Sequence, residues 1–542
     1  MAVAAAKPEV FTRNASGLVR VMSPYSAFIY NILTMGLIFP WTYLWAPGAL
    51  PGGRLVWGIL LAMLFEIPIA LTYVWLSTAL PRSGGDYVFQ SRVFGGGVGF
   101  AVVMSGFVIW ILQWVALSGW LLSYLGFASL FLGLGGTMGN PTLTSIGVWF
   151  TTPWAIVIVS ILNALLAMLL LVSGFKNYVK FQYVMWYATL LSFGLMLYLL
   201  LTATPESFAQ KLNDFVVASG GAPNFYQTGI DAAKAANIDL NPPFSLLATL
   251  LVAPIAWTSL QWATYSAEQN GEIKGARSFQ NQMIIILGSL IATGLLLALL
   301  AYAFEHAIGT EFLYVVGAGY WAALDAGKFN GVFLWPNIVA MALAGSPIIV
   351  VLIAFGYILN SFQIVNNCYI GMTRIMVAMS LDRLLPEWVS RVSDRLHTPV
   401  NAHLAYFLAS VPVILVYNLW SQWTALTLGV TFACGYVFVI TALAGALMPY
   451  RAKALYEASP GAVYKVGNIP LVTIFGLIGA IVGGIMVLMF MFSSALGLTS
   501  VLAYQVVFGV LAVSIIWYFL AKMVQRSHGI NVDYAFKEIP PE

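Results

Sequence analysis

The chain has 542 residues, of which 61% are hydrophobic and 8% charged, with a mean hydropathy of +0.89 and a formal net charge of +4. Soluble domains carry about 45–50% apolar and about 25% charged residues, so a soluble enzyme, a disordered chain and a disulfide-built secreted scaffold are excluded. The two cysteines, Cys368 and Cys434, lie inside apolar runs, which argues against a disulfide framework.

What remains is a polytopic membrane protein. A spanning helix needs about 20 apolar residues. No Asp, Glu, Lys or Arg falls between Arg92 and Lys176, between Arg395 and Arg451, or between Lys465 and Lys522. Each of these gaps holds two spans; in the first they are joined by a polar loop, GGTMGNPTLTSIG. The other apolar runs are single spans. The predicted spans are 22–46, 55–79, 97–127, 153–173, 183–203, 246–267, 281–304, 340–372, 400–417, 424–448, 470–492 and 500–521, twelve in all. The N-terminus reads as a polar tail with no separate signal peptide, and the longest non-spanning segment is 205–244.

With twelve spans both termini share one face. Nineteen of the 23 Lys and Arg fall on that face; the four exceptions are Arg54, Lys211, Lys234 and Lys328. Basic residues concentrate on the cytoplasmic side, so both termini are expected there, in the plasma membrane.

Two spans carry helix breakers near their middles. Span 1 contains Pro24, Gly36, Pro40 and Pro47, with Asn31 and Thr34 at mid-depth. Span 6 contains Pro254, followed by Thr258, Ser259 and Gln261. Proline removes a backbone donor, and freed backbone groups survive in hydrocarbon only where protein or a wet cavity satisfies them. Interrupted helices at matching places in two halves point to a transporter's binding site. Spans 1 and 6 match if the repeat has five helices, and an odd repeat re-enters from the opposite face. The expected organisation is a tail (1–21), a first five-helix repeat (22–204), an external loop (205–245), an inverted second repeat (246–448), a loop with two extra helices (449–521) and a tail (522–542). Simple kinks are the alternative.

The segment PRSGGDYVFQSRVFGG (81–96) resembles the cytoplasmic loop after span 2 in permeases of the amino acid–polyamine–organocation (APC) superfamily. GFKNYVKFQ (174–182), GEIKGARS (271–278), NNCYIGMTRIMVAMSLDRLLPEW (366–388) and TPVNAHL (398–404) are similar to further landmarks of that superfamily, in the same order. The resemblance implies an all-α membrane fold, an inverted five-plus-five repeat with two extra C-terminal helices, and alternating access. It further implies an amino acid or related amine as substrate, and no cofactor. It matches the substrate-binding turn of span 1 to Asn31, Ile32, Leu33, Thr34, Met35 and Gly36, where Thr34 replaces the first of two usual glycines. In span 6 it points to Ala256, Trp257, Thr258 and Gln261, with Gln261 and Ala263 replacing a usual glycine and glutamate. Trp257 is either an aromatic gate or a packing residue. Gln113 in span 3 either lines the pocket or hydrogen-bonds between helices.

Glu66 is the one ionisable Asp, Glu, Lys or Arg inside the predicted span cores. It either carries a proton in coupling or accepts hydrogen bonds from the broken helices. Thr189 falls where some relatives place a coupling lysine, so with Asn360 and Ser361 it is a candidate for Na⁺; H⁺ coupling, exchange and uniport stay open. The histidines form no spaced pair inside the membrane, so neither haem nor a metal is expected. Nucleic acid is not an expected partner, and the sequence sets no oligomeric state. A solute sensor, an accessory subunit and an energy-converting membrane subunit remain the alternatives to a secondary transporter.

Overall fold

The computed structural model describes residues 16–38, 46–321, 328–329, 332–420, 427–492 and 501–537. Among these, eleven helices are long and apolar enough to cross a bilayer. They are Leu55–Ala79, Gly96–Met138, Pro153–Val172, Phe175–Thr202, Leu246–Glu268, Phe279–Ile308, Pro347–Leu381, Val400–Leu419, Cys434–Arg451, Leu471–Phe492 and Val501–Ser527. They correspond one for one to predicted spans 2 to 12 and are numbered so below. Span 1 is represented by the helix Pro24–Met35; residues 39–45 of its predicted range lie outside the described residues. The protein is an all-α, multi-pass membrane protein. Its described strands are two short antiparallel ribbons, pairing Lys328 with Phe333 and Lys465 with Pro470.

The helices sort lipid from core by side-chain stripe. Leu162, Leu166 and Leu169 on span 4 and Ile481, Ile485 and Leu488 on span 11 form exposed apolar rows at helical spacing. Span 8 is the opposite case, with Asn360, Ser361, Gln363, Asn366, Asn367, Thr373 and Arg374 all buried. Small residues allow the close crossings that stand in for a hydrophobic drive between helices in lipid. A Cβ on Gly119 would lie 2.2 Å from the Ser160 hydroxyl, and one on Gly476 would lie 2.6 Å from the Ala442 carbonyl.

Four expectations change. The polar loop predicted from Gly135 to Gly147 is almost entirely helical. Span 3 runs to Met138, Gly139 caps it in a left-handed turn, Asn140 caps the next helix, and Pro141 starts it. Apart from Gly139, the glycines there serve contact rather than a turn: a Cβ on Gly136 would lie 2.3 Å from the Phe215 ring. Span 5 begins eight residues early, at Phe175, and span 8 begins at Pro347, after a separate helix Pro336–Leu343. The segment after span 5 folds into helices Pro205–Ala218 and Phe225–Ala235, the first held by a Thr204–Ser207 capping box.

The fourth change concerns span 6. Its α-helix passes through Pro254 and continues to Leu260, then tightens into a 3₁₀ helix over Gln261–Glu268. The discontinuity is therefore a change of winding seven residues beyond the proline, with no gap. One lost donor does not unwind a helix whose flanks are packed on both sides; Ala253, Pro254, Ile255 and Ala256 are all buried. Span 1 does end early, at Met35. Gly36 has φ +81°, and its N–H closes the helix on the Ile32 carbonyl at 3.0 Å. Glycine takes this left-handed geometry without steric cost.

Candidate functional site: a cavity between spans 1, 3, 6 and 8

Eight residues of winding at three per turn is long for a 3₁₀ helix, and such stretches mark strain or a hinge. The same winding aligns residues 262, 265 and 268 along one edge. Trp262 and Tyr265 thereby reach a cavity that is also lined by Thr34, Ile111, Trp114, Ile364, Asn367 and Cys368. The cavity is small: it leaves about 30 Å³ for the centres of water-sized molecules, room for one or two waters. Trp262 stands perpendicular to both neighbours, with centroids 5.7 Å from Trp114 and 5.3 Å from Tyr265. None of the eight lining side chains is charged.

A chain of neutral hydrogen bonds fixes the polar wall. The Asn367 amide donates to the Thr34 hydroxyl at 2.6 Å, and that hydroxyl donates to the Tyr30 carbonyl at 2.6 Å. The Asn367 carboxamide oxygen accepts from Tyr178 at 3.0 Å and from Gln363 at 2.6 Å. Tyr265 donates to the Asn367 carbonyl at 3.2 Å. The indole N–H groups of Trp114 and Trp262 are buried without a partner. Leaving such a donor unmet costs about 1–3 kcal/mol, so a ligand bearing an acceptor gains by entering.

Of the residues singled out from the sequence, Thr34 lines the cavity, and Gly36 ends the helix two residues beyond it. Asn31 ties span 1 to its neighbours: its amide donates to the Ser266 hydroxyl and the Ile285 carbonyl, both at 3.0 Å, and its oxygen accepts from the Ser266 N–H at 2.8 Å. The Ile32 carbonyl is taken by Gly36, and the Met35 carbonyl by the Ser259 hydroxyl. Trp257 lies away from the cavity lining and donates its indole N–H to Glu66 at 2.5 Å. Thr258 bonds its own helix at Ile255, Gln261 bonds Thr258, and Ala256 is buried in packing. Gln113 is buried with its carboxamide oxygen unpartnered. Among the ion candidates, Ser361 bonds Tyr357, Asn360 reaches the Leu33 carbonyl at 3.5 Å, and the Thr189 hydroxyl is buried without a partner.

Glu66 is not the sole buried ionisable residue. At the face richest in Lys and Arg, Arg374 holds Glu272 through two bonds of 2.7 and 3.0 Å, and Arg92 holds Asp382 at 2.7 Å. Phe175 lies under the Arg374 guanidinium at 4.9 Å, and His403 is 3.3 Å from it. The five segments that carried the resemblance thus converge here: Arg92 from the first, Phe175 from the second, then Glu272, Arg374 with Asp382, and His403. They read as loops, yet these residues are buried among spans 1, 6 and 8. The sequence reading also missed Trp262, Tyr265 and Cys368. A W-x-x-Y spacing is visible in the chain, but it puts both rings on one face in either winding and does not say that this face meets a cavity.

A family model described as amino acid permease matches residues 24–520. The chain belongs to the amino acid permease family. The match and the many apolar helices mark it as a membrane permease. A stretch of 83 residues is 31% identical to an uncharacterized protein, 399, of Sulfolobus islandicus rod-shaped virus 1. That match covers 15% of the permease and 21% of the viral protein, so the chain spans about a fifth of the relative it matches.

Proposed function

We propose that the permease moves a neutral amino acid or a closely related amine across the plasma membrane by alternating access, with both termini on the cytoplasmic side. The observation that carries this reading is the small, uncharged, aromatic-walled cavity beside the early end of span 1. At Met35 span 1 presents a helix C-terminus, whose negative pole favours the substrate's ammonium group. Trp114, Trp262 and Tyr265 then take the side chain. A charged side chain would enter without a partner among the lining residues and pay for desolvation.

Two five-helix repeats, 22–204 and 246–448, supply the moving parts in this reading, and span 6 bends at the junction of its α and 3₁₀ windings. The unpartnered oxygens of Thr189 and Asn360, the second on a side chain whose amide reaches the Leu33 carbonyl, are the candidate Na⁺ ligands. A thermal-shift screen of the purified protein with the common amino acids and polyamines, with and without Na⁺, tests the proposal. Stabilisation by neutral amino acids that vanishes in Trp262→Ala supports it. Stabilisation only by acidic or polycationic compounds overturns it.

A further inference from the structure

Trp262 and Tyr265 bound the cavity, and one turn further along the same 3₁₀ edge stands Glu268. At about 2.0 Å rise per residue, Glu268 lies about 6 Å beyond Tyr265 towards the basic-rich face. It meets Asp86, in the first turn of the short helix Gly85–Phe94. Both acids are buried, at 1% exposure for Asp86 and 0% for Glu268.

The contacts are specific. The Asp86 N–H donates to Glu268 Oε1 at 3.3 Å, and the Gly84 N–H donates to the Glu268 carbonyl at 2.7 Å. A Cβ on Gly85 would lie 2.8 Å from Glu268 Oε1, so glycine is what lets the two elements close this far. Asp86 Oδ1 accepts from the hydroxyls of Tyr73 on span 2 and Thr441 on span 10. The bond from the Asp86 N–H holds the Glu268 carboxyl against the residue that bears the other acid. Yet Glu268 Oε2 is buried without a hydrogen-bond partner. Oxygen facing oxygen has no donor unless a proton lies between them.

Among the described residues, the groups facing the pair do not supply a cation. From span 2 the pair faces Tyr73; from span 10, Thr441; from span 1, Tyr30; and from its own segment, Tyr265. The nearby guanidinium groups are engaged elsewhere, Arg374 by Glu272 and Arg92 by Asp382. Two ionised carboxylates cannot share such a dry site; one keeps its proton. Burial pushes the Asp86 carboxyl above the usual carboxylate range, against the lowering effect of the bonds from Glu268, Thr441 and Tyr73.

We infer that Asp86 and Glu268 hold one proton between them as a latch on the basic-rich face, and that opening of this face releases the proton to water. The pair joins spans 2, 6 and 10, and backbone bonds from Met22 to Glu272 and from Lys274 to Met22 bring in the start of span 1. Opening separates the acids, one proton leaves to solvent, and the pair gains one negative charge. Because the closed arrangement binds the extra proton, it holds below the raised pKa and weakens as pH rises through it.

Infrared spectroscopy of the solubilised full-length permease reads the proton without needing a known substrate. At neutral pH the protein shows the carbonyl stretch of a protonated carboxylic acid, shifting in D₂O. Asp86→Asn and Glu268→Gln each lower its amplitude by one carboxyl. A band that both variants leave intact, or that Glu66→Gln alone removes, overturns the inference. If neither variant is recovered, a Glu66→Gln protein that retains the band supports it and one that lacks the band overturns it. The latch is read separately, by alkylation of Cys368 normalised at each pH to the unfolded chain. The rate rises with pH by up to about tenfold per unit, the slope of one released proton, and is flat in Asp86→Asn. A parent rate that does not vary with pH contradicts the latch.

Discussion

The cavity and the basic-rich face lie on one 3₁₀ edge of span 6, yet they solve opposite problems. Around the cavity, recognition uses rings, hydroxyls and carboxamides, with Asn367 held by Tyr178 and Gln363. Around the face, six charged residues are buried: Asp86, Arg92, Glu268, Glu272, Arg374 and Asp382. A site that must bind and release one guest tolerates weak, neutral contacts. A face that must close firmly and then open uses contacts that are strong when paired and costly when not. The difference locates specificity in the aromatic walls and conformational control in the charges.

The sharpest way to break the comparison is to unpair a charge. Arg374→Ala leaves Glu272 buried alone and is expected to destabilise the permease by about 3–5 kcal/mol, read as a loss of monodisperse protein and a lower melting temperature. A variant that melts normally would mean that the face opens to water freely. Next is Gly36→Leu. Its φ of +81° disfavours any side chain by about 1–2 kcal/mol, and the added bulk stands at the end of span 1. The expected outcome is folded protein without uptake in proteoliposomes; full uptake would remove span 1 from the site.

Two tryptophans sharpen the contrast within span 6. Trp262→Phe, which keeps a ring and removes only the unpartnered indole N–H, is expected to weaken ligand binding about tenfold, equivalent to about 1.4 kcal/mol, with little change in the apo melting temperature. Trp257→Phe should do the reverse. It keeps affinity but strips Glu66 of its 2.5 Å donor, costing about 1–3 kcal/mol of stability. Equal effects of the two on affinity would return Trp257 to the binding site. The smallest effect is expected at Glu66→Gln, whose amide oxygen still accepts from Trp257; the pH profile of uptake should match that of the parent.

The spans were legible because hydrocarbon imposes a length and forbids charge, and neither condition depends on tertiary context. Gly36 was legible for a related reason, since a glycine between mid-depth polar residues has few other uses. The turn after span 3 was misread because Gly133, Gly135 and Gly136 meet Met341, Thr144 and Phe215 in tight contacts that only the folded chain reveals. Pro254 drew attention away from the real discontinuity at Gln261, where winding changes without any proline. Glu272 and Arg374 sit in segments whose polarity suggests water, and only their bidentate pairing explains how they are buried. Trp262 and Tyr265 were not singled out because a spacing of three shares a face in α and 3₁₀ windings alike, so it does not say which face meets a cavity.

The central claim is that the cavity bounded by Thr34, Trp114, Trp262, Tyr265 and Asn367 takes the amino acid. Cys368 lines that cavity and is a free thiol, so its alkylation, followed by mass spectrometry of its peptide, reports occupancy directly. A neutral amino acid that raises the melting temperature should slow alkylation of Cys368 in proportion to its saturation of the protein, and the protection should disappear in Trp262→Ala. An amino acid that stabilises the permease while leaving the rate at Cys368 unchanged would place the substrate elsewhere.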